Sequence, residues 1–398
     1  MTWTRQPIGS LASTVTKGTT PTTLGYKFSD SGIPFVRVQN LWDGRVDVGK
    51  DILYVDQQTH DALSRSKIQC GDLLLSIAGT IGRPAIVGEQ GPLNCNQAVA
   101  IVRLDASVDR RYVLRWLGTR DARRQMSGRS VTGTITNLSL TQIKGLELPL
   151  PPLPEQKRIA GILDAADALR AKRRESLAQL DTLLQSTFLD MFGDPVTNPM
   201  RWEEAHLGGV GAVQGGLQVT SKRGSLVLER PYLRVANVHR GRLALDEIKS
   251  IRLTEAEGQR TRLEKDDLLI VEGHGNKNEI GRCARWDGSI EDCVHQNHLI
   301  RLRCDASRLV PVYAEHYLNS NGGRRGLLQT SRTTSGLNTI SVSKVKSARI
   351  TLPPLEPQRS FARFAAATSS QRKSQQAHLA ELDTLFASLQ SRVFRGEL

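Results

Sequence analysis

Two long stretches of the chain, residues 155–192 and 356–394, carry apolar side chains at alternating intervals of three and four. Such a seam is typical of helices that pack together as a coiled coil. Polar residues interrupt both seams at the same central place, which favours an antiparallel pair over a single amphipathic helix packed on each globule. The apolar seam residues are Ile159, Leu163, Ala166, Leu177, Leu180, Leu184, Met191, Phe361, Ala365, Leu379, Leu382, Phe386, Leu389 and Val393.

The segments before the two long stretches have a different pattern. Short apolar runs broken by Gly, Asn and Asp, as at 35–38, 72–77 and 99–104, predict strands, and residues 112–117 and 313–318 predict short helices. We therefore expect an α+β fold with two similar mixed α/β globules. Two helices of about 33 residues, each about 50 Å long, separate them and pack as an antiparallel coiled coil.

The chain consists of two copies of about 200 residues. FVRVQNL at 35–41 recurs as YLRVANV at 232–238, and LAQLDTL at 177–183 recurs as LAELDTL at 379–385. The offset changes inside the globules but stays at 202 through the helices, because loops tolerate insertions and a helix register does not. The predicted pseudo-twofold organisation is a first globule (1–154), a first helix (155–192), a second globule (193–355) and a second helix (356–398).

Charge indicates what kind of partner the globules bind. The 398 residues include 54 Lys and Arg against 40 Asp and Glu, a net charge of +14. The two helical segments carry net charges of 0 and +2, which leaves +12 on the globules. Such an excess favours a polyanionic partner. No apolar run approaches the ~20 residues that span a bilayer, so we expect no membrane insertion.

Catalytic and metal-binding motifs are missing from the sequence. The run 44–51 lacks the final hydroxyl residue of a phosphate-binding P-loop, because Asp51 stands there. The five cysteines form no CxxC pair, and His274, His295 and His298 lack the spacing of metal ligands. We expect no catalytic residue, no metal site and no cofactor bound by this chain, and we interpret it as a binding and positioning subunit.

The segments that join globule to helix resemble a known family. The run PLPPLPEQKRI at 149–159, echoed by LPPLEPQR at 352–359 with the Pro-Glu order inverted, is similar to the hallmark of the DNA specificity (S) subunit of type I restriction-modification systems. NLS at 137–139 and TIS at 339–341 also resemble the family pattern. Motif, duplication and length agree over essentially the whole chain.

This resemblance implies a function for each part. Each globule is a target-recognition domain that reads one half of a split, asymmetric site on double-stranded DNA, and the helices fix the spacer between the halves. Two modification subunits, which hold S-adenosylmethionine and methylate adenine, dock on the helices. Restriction subunits, which use ATP and Mg²⁺, complete a translocating nuclease, and the resemblance implies a cytoplasmic location.

Two other functions stay open on the sequence. One is an orphan DNA-binding or interaction protein of the same fold without partner subunits, and the other is a self-sufficient nuclease or methyltransferase, which the missing motifs disfavour. Neighbouring genes for a methyltransferase and a helicase-nuclease would separate the orphan protein from the subunit.

Candidate DNA contacts are polar residues of the Gly-rich loops. Arg and Lys can bind guanine edges, Asn and Gln can bind adenine edges, and any of them can hold phosphate. Repeated residues such as Arg37 with Arg234 and Asn40 with Asn237 have structural roles as an alternative. The candidates are Lys17, Arg37, Asn40, Arg45, Arg83, Asn96, Gln97, Arg129 and Thr134 in the first globule, and Arg223, Arg234, Asn237, Arg240, Arg242, Asn276, Lys277, Asn278, Arg282, His295, Arg332 and Thr333 in the second.

Overall fold

The computed structural model describes residues 3–49, 51–127, 137–328, 332–334 and 337–397. The chain divides into two units. Unit 1 contains Met1–Arg174 and Ala377–Leu398, and unit 2 contains Glu175–Gln376. Each unit therefore holds one globule together with a part of both long helices.

The strands of unit 1 are short. They are β1 (Arg5–Pro7), β2 (Ala12–Lys17), β3 (Ile33–Val36), β4 (Leu41–Trp42), β5 (Gly44–Val46), β6 (Leu53–Val55), β7 (Lys67–Ile68), β8 (Leu73–Ser76), β9 (Pro84–Ile86), β10 (Leu93–Cys95), β11 (Val99–Leu104) and β12 (Glu147–Pro149). A six-stranded sheet has the order β2-β11-β8-β9-β5-β4, a four-stranded sheet has the order β6-β3-β10-β7, and β1 pairs with β12.

Unit 2 has its own set of short strands, which are divided among smaller sheets. They are β13 (Glu203–His206), β14 (Gly211–Gly215), β15 (Leu228–Leu233), β16 (Val238–His239), β17 (Arg242–Leu243), β18 (Lys249–Leu253), β19 (Leu268–Val271), β20 (Gly273–His274), β21 (Cys283–Arg285), β22 (Val294–His295), β23 (Leu299–Cys304), β24 (Arg332–Thr334), β25 (Leu337–Thr339) and β26 (Arg349–Leu352). The sheets have the orders β14-β23-β19-β21, β18-β15-β22 and β20-β25-β24, with two further pairs, β16-β17 and β13-β26.

The helices fall at matching places in the two copies. They are α1 (Gln57–Ala62), α2 (Arg110–Leu117), α3 (Arg120–Ser127), α4 (Leu140–Lys144), α5 (Leu153–Phe192), α6 (Glu255–Thr261), α7 (Pro311–Asn319), α8 (Asn321–Leu328), α9 (Val342–Ser347) and α10 (Leu355–Val393). The strands and short helices predicted from the sequence are present, and the predicted α+β fold class with two long helices is confirmed.

The central sheet of each globule is buried on both faces. In unit 1, Leu73 and Leu75 of β8 face a cluster that includes helix α2, whereas Leu74 faces a second cluster with β3 and β10. In unit 2, Leu268 and Ile270 of β19 face one core cluster, and Leu269 between them faces another. Successive side chains of a strand point to opposite faces, so these continuous apolar runs supply two cores at once.

A buried glutamine fixes each long helix to its globule. Gln156 Nε2 donates to Pro151 O at 2.8 Å, and its Oε1 accepts from Asp109 N at 2.9 Å. In unit 2, Gln358 repeats the contacts with Pro353 O at 2.7 Å and Val310 N at 2.8 Å. The glutamine keeps its place 202 residues apart although the preceding Pro and Glu are exchanged.

Both long helices begin earlier than the sequence predicts. Helix α5 starts at Leu153 and α10 at Leu355, so they contain 40 and 39 residues and extend for about 60 Å. Pro154 and Pro357 lie in the first turns, where a backbone N–H has no acceptor inside the helix and its loss is tolerated. The proline segment therefore ends the globule and starts the helix at once.

Within each unit the parts of α5 and α10 run antiparallel. In unit 1, Ile159 and Val393 share one core cluster, and Arg170 bonds to Asp383 at 2.6 Å. In unit 2, Arg372 bonds to Asp181 at 3.1 Å, and the rings of Phe188 and Phe361 lie 5.4 Å apart. Every predicted seam residue is buried or half-buried.

Candidate nucleic-acid interface

Three candidates of unit 1 lie where the end of β2 meets the turn between β10 and β11. Lys17 and Gln97 are exposed, and Asn96 is half-buried. Thr20 Oγ1 donates to Gln97 Oε1, and Asn96 Oδ1 accepts from the backbone of Ala98 at 3.2 Å. The Gln97 amide nitrogen and the Lys17 ammonium extend from this corner as hydrogen-bond donors.

A second group in unit 1 lies on the hairpin of β4 and β5 and the loop before β9. Arg45 is exposed on β5, which pairs with β9. Arg83 is half-buried in that loop, and its backbone N–H donates to Ser76 Oγ at 2.8 Å. Arg37 Nη2 donates to Asp51 O, so its guanidinium helps to hold the loop after β5.

In unit 2, several candidates form one basic loop cluster, which we define as Arg240, Arg242, Lys277, Arg282 and Arg324. Arg240 donates to Asn319 O at 3.1 Å and to Asn278 O at 3.2 Å, and Arg324 donates to Lys277 O at 2.9 Å. Strand β20 leads directly into this loop. The fold thus brings together cations from the β16-β17 hairpin, the loop after β20 and helix α8.

The acidic residue of this cluster is held by its cations. Glu279 accepts from Arg282, and this contact, with Arg240 and His274 nearby, lowers the pKa of the carboxyl below its usual value. Asn276 caps the loop, because its Oδ1 accepts from Asn278 N at 2.9 Å. Lys277 remains exposed. A group with five cations against one carboxylate suits a phosphate-bearing partner.

Several other candidates have their side chains in use inside the protein. Arg223 forms a two-point contact with Glu257, at 2.9 and 3.0 Å, which lowers the pKa of that carboxyl to about 2. Arg234 bonds to Glu247 at 2.7 Å. Because a paired guanidinium must lose its partner before it binds DNA, we favour structural roles for both arginines.

The repeated asparagines are also structural. Asn40 and Asn237 are buried, and each Oδ1 accepts from the backbone N–H three residues earlier at 3.0 Å. Asn237 also donates to Ala244 O and Glu247 O, at 2.8 and 3.0 Å. They hold the turn before the hairpin in both copies, which matches the alternative that the sequence left open.

His295 requires a correction. It is fully buried on β22, where Nδ1 lies 3.1 Å from Thr261 O, and burial lowers its pKa to about 4. Arg282 is buried too, between Glu279 and Val235 O. We therefore remove His295 from the candidate DNA contacts, and we assign Arg282 to the frame of the basic loop cluster.

Four candidates lie at the limits of the described structure. Arg129 and Thr134 lie outside the described residues. Arg332 and Thr333 are on β24, which pairs with β25, and β25 also pairs with β20 next to the basic loop cluster. The backbone therefore brings β24 to the same sheet as the start of that loop.

Three residues next to these candidates, one in unit 1 and two in unit 2, were not predicted from the sequence. Arg324 lies on α8 next to Lys277 and Asn278. Trp42 and His239 lie on the hairpins of β4-β5 and β16-β17. A signal was available for the aromatic pair, since both precede the repeated Gly-Arg pair 44–45 and 241–242.

The junction between globule and helix differs between the units. In unit 1, Arg115 of α2 bonds to Asp164 at 2.8 Å and to Asp167 at 2.7 Å on α5, and Arg111 reaches Asp164 at 3.2 Å. Arg170 joins the network through Asp167 at 2.7 Å. Ion pairs thus close the space between globule 1 and its helix.

Unit 2 lacks the charges that would form this network. His316, Ala366 and Ser369 occupy the positions that match Arg115, Asp164 and Asp167. A groove of about 1030 Å³ lies there, between α7 and the long helices. Arg240 and Arg324 of the basic loop cluster also line it.

Two further observations limit the chemistry of the described residues. They contain no group of three or more His, Cys, Asp or Glu side chains placed to hold a metal ion. None of their helices is long and apolar enough to cross a membrane.

Comparison with known proteins gives a consistent result. Residues 2–180 match the family model of the type I restriction modification DNA specificity domain. The whole chain is 25% identical to the StySPI type I restriction enzyme specificity subunit of Salmonella potsdam, over 89% of that protein. It is also 25% identical to the EcoKI specificity subunit of Escherichia coli K12, over 93% of this chain and 83% of that one.

Solved structures share the fold at low sequence identity. A chain from a study of complex assembly and conformational transition of the type I R-M system aligns over 100% of this chain and 98% of its own length, with a TM-score of 0.62 and 18% identity. The type I S subunit of M. genitalium aligns over 98% of this chain and 96% of its own length, with a TM-score of 0.55 and 15% identity.

Proposed function

Because the chain belongs to the family of type I restriction-modification DNA specificity subunits, we propose that it recognises a bipartite, asymmetric DNA site and directs the other subunits of a type I complex to it. Each globule reads one half of the site. The modification subunits then methylate adenine, and the restriction subunits cleave DNA that lacks the methyl groups.

The basic loop cluster of unit 2 carries this proposal. Arg240, Arg242 and Lys277 lie on a globule whose core is locked to α10 through Gln358. Cations on loops of a rigid frame are suited to phosphate and base contacts, and phosphate contacts supply most of the salt-dependent affinity for DNA. The charge distribution, +12 on the globules and +2 on the helices, supports the same division of roles.

The remaining functions fall to the partners. The two long helices set the spacer between the half-sites and receive two modification subunits, which bind S-adenosylmethionine. The restriction subunits bind ATP and Mg²⁺. This chain recognises DNA and positions the other subunits in the cytoplasm, and it performs no catalysis. Its recognition domains are residues 1–154 and 193–355, and its spacer helices are residues 155–192 and 356–398.

Methylome sequencing of the host, with and without this gene, tests the proposal. We expect a split adenine-methylation motif that disappears on deletion and returns with the intact gene. A methylome that does not change on deletion contradicts the proposal, as does methyl transfer by the purified chain alone. Removal of four residues from one long helix shifts it by about one turn, about 6 Å, and should change the preferred spacer.

A further inference from the structure

A tight hairpin in unit 1 presents a large aromatic side chain to solvent. Between the paired residues Trp42 and Arg45 stand Asp43 and Gly44, which both have positive φ, of 49° and 74°, as a two-residue turn of this kind requires. Trp42 and Arg45 form the cross-strand pair next to the turn. Trp42 is 67% exposed, and Arg45 forms no ion pair within the described residues.

Unit 2 has a hairpin at the matching place, with a different turn conformation and different side chains at its tip. His239 pairs with Arg242 across β16 and β17, around a turn in which Gly241 has a φ of 64°. Gly and Arg are thus shared between the copies. The ring changes from Trp42 to His239, and the first turn residue changes from Asp43 to Arg240.

The hairpin of unit 2 is set in positive charge. Gly241 N donates to Cys283 O at 2.9 Å, which anchors the turn on the globule, and Arg240 Nη2 donates to Asn278 O at 3.2 Å. The pKa of His239 is lowered, by partial burial first and then by Arg242 and Arg282. An electropositive turn on a rigid sheet favours a polyanion over a neutral or basic surface.

We propose that these two hairpin tips are the elements that enter the DNA major groove, one at each half-site. The shared Arg45 and Arg242 hold a phosphate or a guanine edge. The side chains that differ, Trp42 with Asp43 and His239 with Arg240, select the bases of each half-site. This inference rests on the proposed function and names the residues that perform the recognition.

The chemistry of each side chain fits this role. A two-stranded ribbon fits the width of the major groove, an Arg binds guanine O6 and N7, and a carboxylate such as Asp43 accepts from cytosine N4. An indole ring offers an apolar surface to a thymine methyl or a sugar. Two different half-sites require a shared hairpin backbone with different base-contacting side chains, and the two hairpin tips have this pattern.

A protein partner is the competing occupant, because Trp and Arg are also common at the centres of protein interfaces. Two copies of one partner subunit, docked on equivalent surfaces, would favour the same side chain in both copies. The change from Trp42 to His239 is therefore better explained by two different half-sites.

The experiment uses the complex of this chain with its modification subunits, on DNA libraries that randomise one half-site at a time around the motif from the methylome. The variants are Trp42→Ala and Arg45→Ala in unit 1, and His239→Ala and Arg242→Ala in unit 2. Val227→Ala, an exposed apolar position of unit 2, and Arg65→Ala, an exposed cation of unit 1 outside the candidate DNA contacts, are the matched controls.

We expect Trp42→Ala to weaken binding about tenfold and to relax base preference in one half-site, while the other keeps its wild-type preference. His239→Ala should relax the opposite half-site, and the controls should bind as wild type does. Unchanged affinity and preference in both tip variants overturn the inference. Loss of modification subunits from the purified complex, with base preference kept, identifies a protein interface and also overturns it. A wild-type complex without sequence preference would instead contradict the proposed function.

Discussion

Arg170 and Asp383 form an ion pair, and the residues that match them 202 positions away, Arg372 and Asp181, form the equivalent ion pair. Arg170 Nε donates to Asp383 Oδ1 at 2.6 Å in unit 1, and Arg372 Nη1 donates to Asp181 Oδ1 at 3.1 Å in unit 2. Each pair joins a residue of one sequence copy to a residue of the other. Neither sequence copy therefore contains both partners of such an ion pair, because each pair forms between the two copies.

The two arginines should nevertheless differ in their contribution to stability. Arg170 is 18% exposed, bonds to Asp167 and Asp383, and lies 4.4 Å above the ring of Phe386, whereas Arg372 is 34% exposed. We expect Arg170→Ala to lower the free energy of unfolding by about 1–2 kcal/mol. Arg372→Ala should lower it by less than about 1 kcal/mol. Urea unfolding of both variants measures this, and equal losses would contradict it.

Replacement of the buried glutamine at either junction between globule and helix should lower the free energy of unfolding. Gln156→Ala leaves Asp109 N and Pro151 O without their buried partner, so we expect a loss of about 1–3 kcal/mol. Gln358→Ala should act in the same way on unit 2. The exposed Gln179→Ala is the control and should change stability by less than about 0.5 kcal/mol. Thermal unfolding checks the ranking, which fails if all three variants melt alike.

The buried His295 should make unit 2 sensitive to acid. Its pKa is about 4 in the folded protein, because burial disfavours the charged ring, against about 6.5 in an unfolded chain. Between these two pKa values, His295 is therefore protonated in the unfolded chain and neutral in the folded protein. The contribution of His295 to stability is present above pH ~6.5 and is lost as the pH falls, by about 1.4 kcal/mol per unit.

A variant isolates this effect. His295→Asn replaces the titrating ring with a polar side chain that stays neutral over this pH range. We expect the free energy of unfolding of the variant to decline less steeply than that of the wild type between neutral pH and about pH 4.5. His316, whose pKa burial also lowers to about 4, keeps part of the slope in both proteins. Parallel pH profiles would contradict the assignment.

One thiol should react in the native protein. Cys70 is exposed, whereas Cys95, Cys283 and Cys293 are buried, and burial raises the pKa of all three. Because the thiolate is the nucleophile, we expect rapid labelling of one cysteine by a maleimide and slow labelling of the rest. Cys70→Ser should abolish the rapid phase, as mass spectrometry of the labelled chain would detect. A rapid phase that survives in this variant would disprove the assignment.

The architecture was readable from the sequence because it repeats local patterns. The seam of α5 and α10, the short strands and the family motif each depend on neighbours within one element. The predicted helix starts at 155 and 356 fall after Leu153 and Leu355, where the helices begin, because prolines are rare inside a helix although its first turn accepts them.

The candidate site was less predictable because side-chain use depends on residues far apart in sequence. His295 stands in a polar run, and only the pairing of β22 with β15 buries it. Arg223 was a reasonable DNA contact until the fold brought it to Glu257. The exposure of Trp42 follows from the tight turn at Asp43 and Gly44.

The discontinuity of unit 1 has a consequence for the order in which the protein assembles during synthesis. All 202 residues of unit 2 are available before residues 377–398 leave the ribosome. Unit 1 still lacks Val393, which completes its core, and Phe394, whose ring lies 5.2 Å from that of Tyr112. The globule that is translated first is therefore the one that closes last, with its apolar surface open until the final helix turns arrive.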